Sequence, residues 1–156
     1  MRLIELHSRS IRSITLALIL VVWPGYFTGA QAFEAASLIQ LDPRIQQVMT
    51  SGSWLTDDDG GPYRLIVVRD DNTGTDRLFL EWLTFNLDSG KPERFSISQI
   101  MEFADLEARI TQLTSDPGID DIVFFIEAVD LENGNSESYE LVATLPGNFN
   151  FGEASN

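Results

Sequence analysis

Oxygen-bearing residues recur at alternate positions in Asp70-x-Asn72-x-Gly74-x-Asp76, and Glu81 stands twelfth counted from Asp70. Short carboxylates at that spacing can wrap a hard cation, which takes roughly six to eight oxygens, so Asp70, Asn72, Asp76 and Glu81 are candidate calcium ligands. The segment departs from the helix-flanked calcium loop in three ways. Thr75 holds the sixth position where that loop needs glycine, Gly74 brings no side chain to the fifth, and both flanks are strand-like. A hairpin turn is the competing expectation, since turns use the same Asp, Asn and Gly. Asp57, Asp58 and Asp59, before Gly60-Gly61, form a second acidic cluster open to the same two readings.

Glu81 and Glu127 each interrupt an apolar run. A buried carboxylate is costly unless paired or protonated, and two across a cleft could serve as general acid and nucleophile on an envelope polysaccharide. The alternative puts both on a wetted sheet face or in ion pairs with Arg64 or Arg69, because one residue of register moves a strand side chain from core to solvent. Composition excludes much other chemistry: the chain has no cysteine and its one histidine is His7. Beyond the first residues no Ser-His-Asp or Cys-His site can be assembled, and zinc would need carboxylates alone. Gly60-Gly61 precedes a strand instead of opening a helix, so it lacks the helical amides that hold phosphate. Trp54, Tyr63, Phe79, Trp82 and Phe85 could line a binding face for sugar or peptide, or fill the core.

Arg2, Arg9 and Arg12 precede an apolar run from Ile14 to Trp23, and Ala30-Gln31-Ala32 supplies an A-x-A cut. This is the pattern of a cleaved secretory signal peptide over residues 1–32. An uncleaved anchor is the alternative, but the run is about half of the roughly twenty residues a bilayer span needs, and Pro24-Gly25 breaks it. Cleavage would leave seven basic and 23 acidic residues, a formal charge of −16, without His7. The expected location is the periplasm or the exterior, with no stable membrane insertion after cleavage. Such a surface disfavours nucleic acid and anionic lipid and favours a basic protein or a divalent cation. Without disulfides the fold must hold by packing, which a single domain of this length can do.

The elements that would position these groups are mostly strands. Pro62 to Arg69 and Arg77 to Leu87 are dense in branched and aromatic residues and flank Asp70-Asp71-Asn72-Thr73-Gly74, which predicts an antiparallel hairpin. Asp88 to Pro92 is the next turn, and a strand is expected near 95–102. Residues 105–114 fit a helix and a strand equally: Leu106, Ile110 and Leu113 suit a helical face, whereas Leu106, Ala108 and Ile110 alternate. Ser115-Asp116-Pro117-Gly118 predicts a β-turn, Ile122 to Val129 a central strand, Glu132 to Asn135 a hairpin turn, and Ser138 to Leu145 its return. Before them, Asp42-Pro43 resembles a helix start, with Ile45, Val48 and Met49 on one face. The expectation is an all-β antiparallel sandwich or small barrel of five to six strands, with a short N-terminal helix after the signal peptide. Its divisions are a leading segment 33–53, a β-rich domain 54–151 and a frayed tail 152–156, without internal repeat.

The SGSW of Ser51 to Trp54, the GPYR beginning at Gly61, the LFLEWL of Leu78 to Leu83 and the Tyr139 to Leu145 strand with its PGNF complete a pattern. It resembles small exported bacterial proteins of unknown function that share W…G-x-YR…hydrophobic-x-W. The resemblance implies a periplasmic domain and carries over no catalytic or binding residue. On the residues themselves, the expected role is non-catalytic binding of a basic protein or a cell-envelope component. A carboxylate-dependent hydrolase using Glu81 and Glu127, and a calcium-stabilised structural module, stand as alternatives.

Overall fold

Alternating apolar residues between Asp/Asn/Gly loops produce strands throughout. The computed structural model describes residues 42–86 and 90–155. They form β1 (Ile45–Leu55), β2 (Gly60–Arg69), β3 (Asp76–Phe85), β4 (Pro92–Gln99), a one-turn α1 (Met101–Ala104), β5 (Ala108–Pro117), β6 (Ile122–Asp130), β7 (Ser136–Ala143) and β8 (Phe149–Glu153). The strands make two four-stranded antiparallel sheets in sequential order, β1-β2-β3-β4 and β5-β6-β7-β8. The fold is all-β, with eight described strands where five or six were expected. The expected leader 1–32 and Asp88-Ser89 of the third turn lie outside the described residues. Among the described residues no helix is long and apolar enough to cross a membrane.

One core serves both sheets. Tyr63, Leu65 and Val67 of β2 and Leu78, Leu80 and Trp82 of β3 meet Phe124 and Ile126 of β6 and Leu141 of β7 in a single buried cluster. These side chains alternate along their strands with less buried ones, so each sheet has a core-facing and an outward side. Polar pins cross between the sheets. The Tyr63 hydroxyl (2.9 Å) and the Trp82 indole N–H (2.8 Å) both donate to the Thr144 carbonyl, which has two lone pairs to accept them. Asp76 of β3, only 1% exposed, pairs with Arg69 and accepts the Ile110 N–H of β5 at 2.8 Å. Gly52, at φ +59°, takes a left-handed backbone that favours glycine, and a Cβ there would stand 3.0 Å from Ile122 Cδ1 of β6.

Three hairpins share one loop. In Asp70 to Gly74 and in Asp130 to Gly134 the glycine N–H donates to the first residue's carbonyl, and the first residue's N–H to the carbonyl after the glycine. Asn86 and Gly90 make the same two bonds. Asp70 and Asp130 also accept from the amide two residues on, at 2.9 and 2.7 Å, which fixes the turn. The five-residue pattern Asp/Asn-x-x-x-Gly thus recurs three times, a local repeat that the sequence expectation omitted.

Several expectations are corrected. The N-terminal helix is absent: residues 42–44 form a turn and the chain then enters β1. Residues 105–114 resolve largely into β5, which runs through Pro117, so the turn comes later, with the Gly118 N–H bonded to the Asp121 carbonyl. The strand placed near 95–102 is β4 and stops at Gln99, where α1 begins the crossing to the second sheet and buries Phe103. Strand β8 occupies Phe149–Glu153, and the Ala154 N–H bonds the Ser138 carbonyl beyond it.

Either donor alone satisfies the Thr144 carbonyl, so Tyr63→Phe should cost about 1 kcal/mol, and Tyr63→Phe with Trp82→Phe more than the two single changes summed. Urea unfolding of the four proteins checks this, and simple additivity would contradict it. Burial first, then the charges of Asp121 and Asp120, push Tyr63 up from 10.0 to about 12. Burial, then the hydrogen bond to Glu137, does the same for Tyr139. A phenol raised in the folded state stabilises fully below its unfolded value and loses that contribution as pH climbs through its folded one. Stability should therefore fall between pH 10.0 and about 12, which denaturant unfolding across that range checks.

Candidate functional site

Register lays out the outward face of the first sheet in rows. Val48, Ile66, Phe79 and Gln99 lie side by side, and the next row holds Thr50, Arg64, Glu81 and Ile97. On the other flank Ile45, Val68 and Arg77 align. A bulge in β4 completes the pattern: Ser96 pairs with Trp82 but Arg94, not Phe95, pairs with Leu83. The extra residue sends the Phe95 ring to Trp54, at 5.0 Å between centroids, and turns Arg94 onto the same side as Ile97.

Arg94 then reaches Glu81. Its Nε donates to Glu81 Oε1 at 2.5 Å, while Arg64 donates to Oε2 at 2.5 Å from Nε. The carboxylate is fully buried, while the Arg64 and Arg94 side chains are 31% and 56% exposed. Two guanidiniums on one carboxylate leave a surplus positive charge and unspent N–H donors at the surface. Beside the group opens a cleft of about 590 Å³ lined by Ile66, Val68, Phe79 and Ile97, with Arg44, Arg69, Arg77 and Arg94 and the carboxylates Asp42, Asp70, Asp71 and Glu81 at its walls. That size falls within the usual range of small-molecule sites, roughly 300–1,000 Å³.

Charge is sorted across the molecule. Beyond residue 32 the basic residues are six arginines and Lys91, and five of those arginines stand on or beside this face. Arg44 is held by Asp42, whose carboxyl the Arg44 side chain and amide pull down to about 2. Arg77 donates to the Ala104 carbonyl at 2.8 Å and stands 3.9 Å from Asp70. Asp70 is itself lowered, first by the Asn72 amide. The sixth arginine, Arg109, braces the β2–β3 loop through the Gly74 carbonyl. The outward side of the second sheet carries Gln112, Thr114, Phe125, Glu127, Ser138 and Glu140, with Arg109 at its end beside Val129.

The residues singled out in the sequence scatter over this frame. Asp70 caps its own loop, Asp76 serves Arg69 and Ile110, and Glu81 serves Arg64 and Arg94. Among the described residues no three acidic or histidine side chains converge as a metal cluster would require. Glu81 lies on the outward side of β3 and Glu127 on the outward side of β6. Their strand neighbours Leu80, Trp82, Ile126 and Ala128 are buried in the shared core. Glu127 accepts from the Ser138 hydroxyl at 2.8 Å. Asp57, Asp58 and Asp59 sit in the β1–β2 turn beside Leu55 and Phe85. Of the five aromatics, Trp54, Tyr63 and Trp82 are core, Phe85 is exposed, and Phe79 alone lines the cleft. Sequence reasoning missed Arg94 and Ile97, whose common side depends on the bulge.

Comparison with protein-family models, with curated proteins and with solved structures found no match.

Removing the shared partner should cost more than removing either arginine. Glu81→Gln leaves two guanidiniums facing a neutral amide and is expected to destabilise by about 2–3 kcal/mol, below the figure for a fully buried pair because both arginines reach solvent. Arg94→Gln is expected to cost about 1 kcal/mol or less. Equal losses in denaturant unfolding would contradict the shared arrangement.

Proposed function

We propose that this chain is an exported, non-catalytic binding domain that recognises a cell-envelope component through the outward side of its first sheet. In this reading the two sheets form an open sandwich, one side of each committed to the core. The observation that carries it is the cleft, where an apolar floor meets walls that hold four arginines beside Asp42, Asp70, Asp71 and Glu81. Acid–base catalysis finds no support in the same geometry. Among the described residues the one fully buried glutamate, Glu81, is tied to two arginines. Calcium gains no support either, since Asp76 and Glu81 are bound to arginines instead.

A second reading draws on the remaining surface. Asp57, Asp58 and Asp59 flank the exposed Leu55 and Phe85, an acidic rim around apolar residues that would suit a basic protein. Co-sedimentation with purified envelope material separates the two. The first reading expects the protein to pellet at moderate salt, Phe79→Ser to abolish pelleting, and Asp57→Asn with Asp58→Asn to leave it unchanged. Loss with the aspartate variant alone would move the contact to the acidic rim, and a wild-type protein that stays in the supernatant would contradict envelope binding.

A further inference from the structure

The Arg64–Glu81–Arg94 group is an ion pair with one cation too many. Glu81 is fully buried and accepts from both guanidiniums, so its charge is spent, yet Arg94 is more than half exposed at the cleft wall with only its Nε committed to Glu81. Elsewhere on this face each arginine has an acid beside it, Arg44 with Asp42, Arg69 with Asp76 and Arg77 near Asp70, and Asp71 also lines the cleft near Arg44. The unbalanced position is therefore this one. It adjoins the most apolar stretch of the face, where Ile97 pairs across from Glu81 and Ile66 and Phe79 lie one row away.

We propose that the cleft binds an amphiphile with a single carboxylate head, its head on the free N–H groups of Arg94 and its apolar tail along Ile66, Phe79 and Val68. This rests on the outward side of the first sheet being the binding surface. Three features select the ligand. At Glu81 alone two guanidiniums share one carboxylate, and a second carboxylate there would complete a two-by-two array. Glu81 already shows that these two forks accept a planar carboxylate. The formal charge of −14 on the whole chain repels polyanions and anionic membrane surfaces at long range, leaving a small singly charged molecule favoured over both. The floor supplies the other half of the affinity by removing tail surface from water.

Decanoate, below its micelle concentration, is the probe. Decanol shares its tail, acetate shares its head, and decyltrimethylammonium reverses its charge. Calorimetry on the purified protein should show saturable decanoate binding, with decanol weaker by at least about tenfold and neither acetate nor the cation measurable. Amide shifts should appear at Ile66, Phe79 and Ile97. Arg94→Gln, whose side chain is exposed enough for the fold to tolerate, should weaken decanoate by at least about tenfold while its melting temperature stays near wild type. Equal affinity for decanoate and decanol, an unaffected Arg94→Gln, or shifts confined to the second sheet would each overturn the proposal. Should the protein ignore decanoate yet still pellet with envelope material in a Phe79-dependent manner, this ligand class fails and the binding surface stands. Failure of both removes the surface itself.

Discussion

A carboxylate stripped of water must find compensating charge, and Glu81 meets that demand on a strand where its immediate neighbours Leu80 and Trp82 belong to the core. Its two partners come from the strands on either side, Arg64 directly across in β2 and Arg94 in β4. The β4 bulge is what brings the second partner round. Without the extra residue at Phe95, strict alternation would put Arg94 on the core side and Phe95 beside Glu81. The same irregularity seats Phe95 against Trp54, whose indole bonds the Leu83 carbonyl. Ion-pair compensation on the outward side and aromatic packing at the core's edge thus depend on one backbone feature.

Bulges also account for where the sequence misleads. β2, β3, β6 and β7 were legible because their branched and aromatic residues are bounded by hairpin loops with Asp, Asn and Gly at turn positions. β1 was not, because a register shift between Ile45 and Gln47 places Ile45 and Val48 on one side. A bulge converts the spacing of two into three, and i, i+3 is the spacing of a helix. β5 shows the same mimicry: the shift between Ile110 and Gln112 leaves Ile110 and Leu113 both facing the core, which made residues 105–114 ambiguous. Asp76 lies beside that shift, since its carboxylate takes the Ile110 N–H.

For the candidate site, chemistry was more legible than placement. The residues suggested a buried catalytic pair for Glu81 or, as the alternative, a wetted face or an ion pair with Arg64 or Arg69, and the structure pairs it with Arg64. The sequence carried no sign of the second arginine, because Arg94 and Glu81 meet only through tertiary register. Nor could it show the sorting of charge, in which five arginines scattered between positions 44 and 94 gather around one side of one sheet. Folding gathers these arginines, with Asp42, Asp70 and Asp71, around an apolar cleft.

Proton exchange at the arginine Nε–H groups, followed by nitrogen-resolved NMR, tests the central arrangement most directly. Sharing of Glu81 predicts that the Arg64 and Arg94 Nε protons exchange slowly, and that both speed up together when Glu81 is changed to Gln while the exchange at Arg69 stays as it was. Rapid exchange at Arg94 in the unaltered protein, or acceleration at only one of the two, would contradict it.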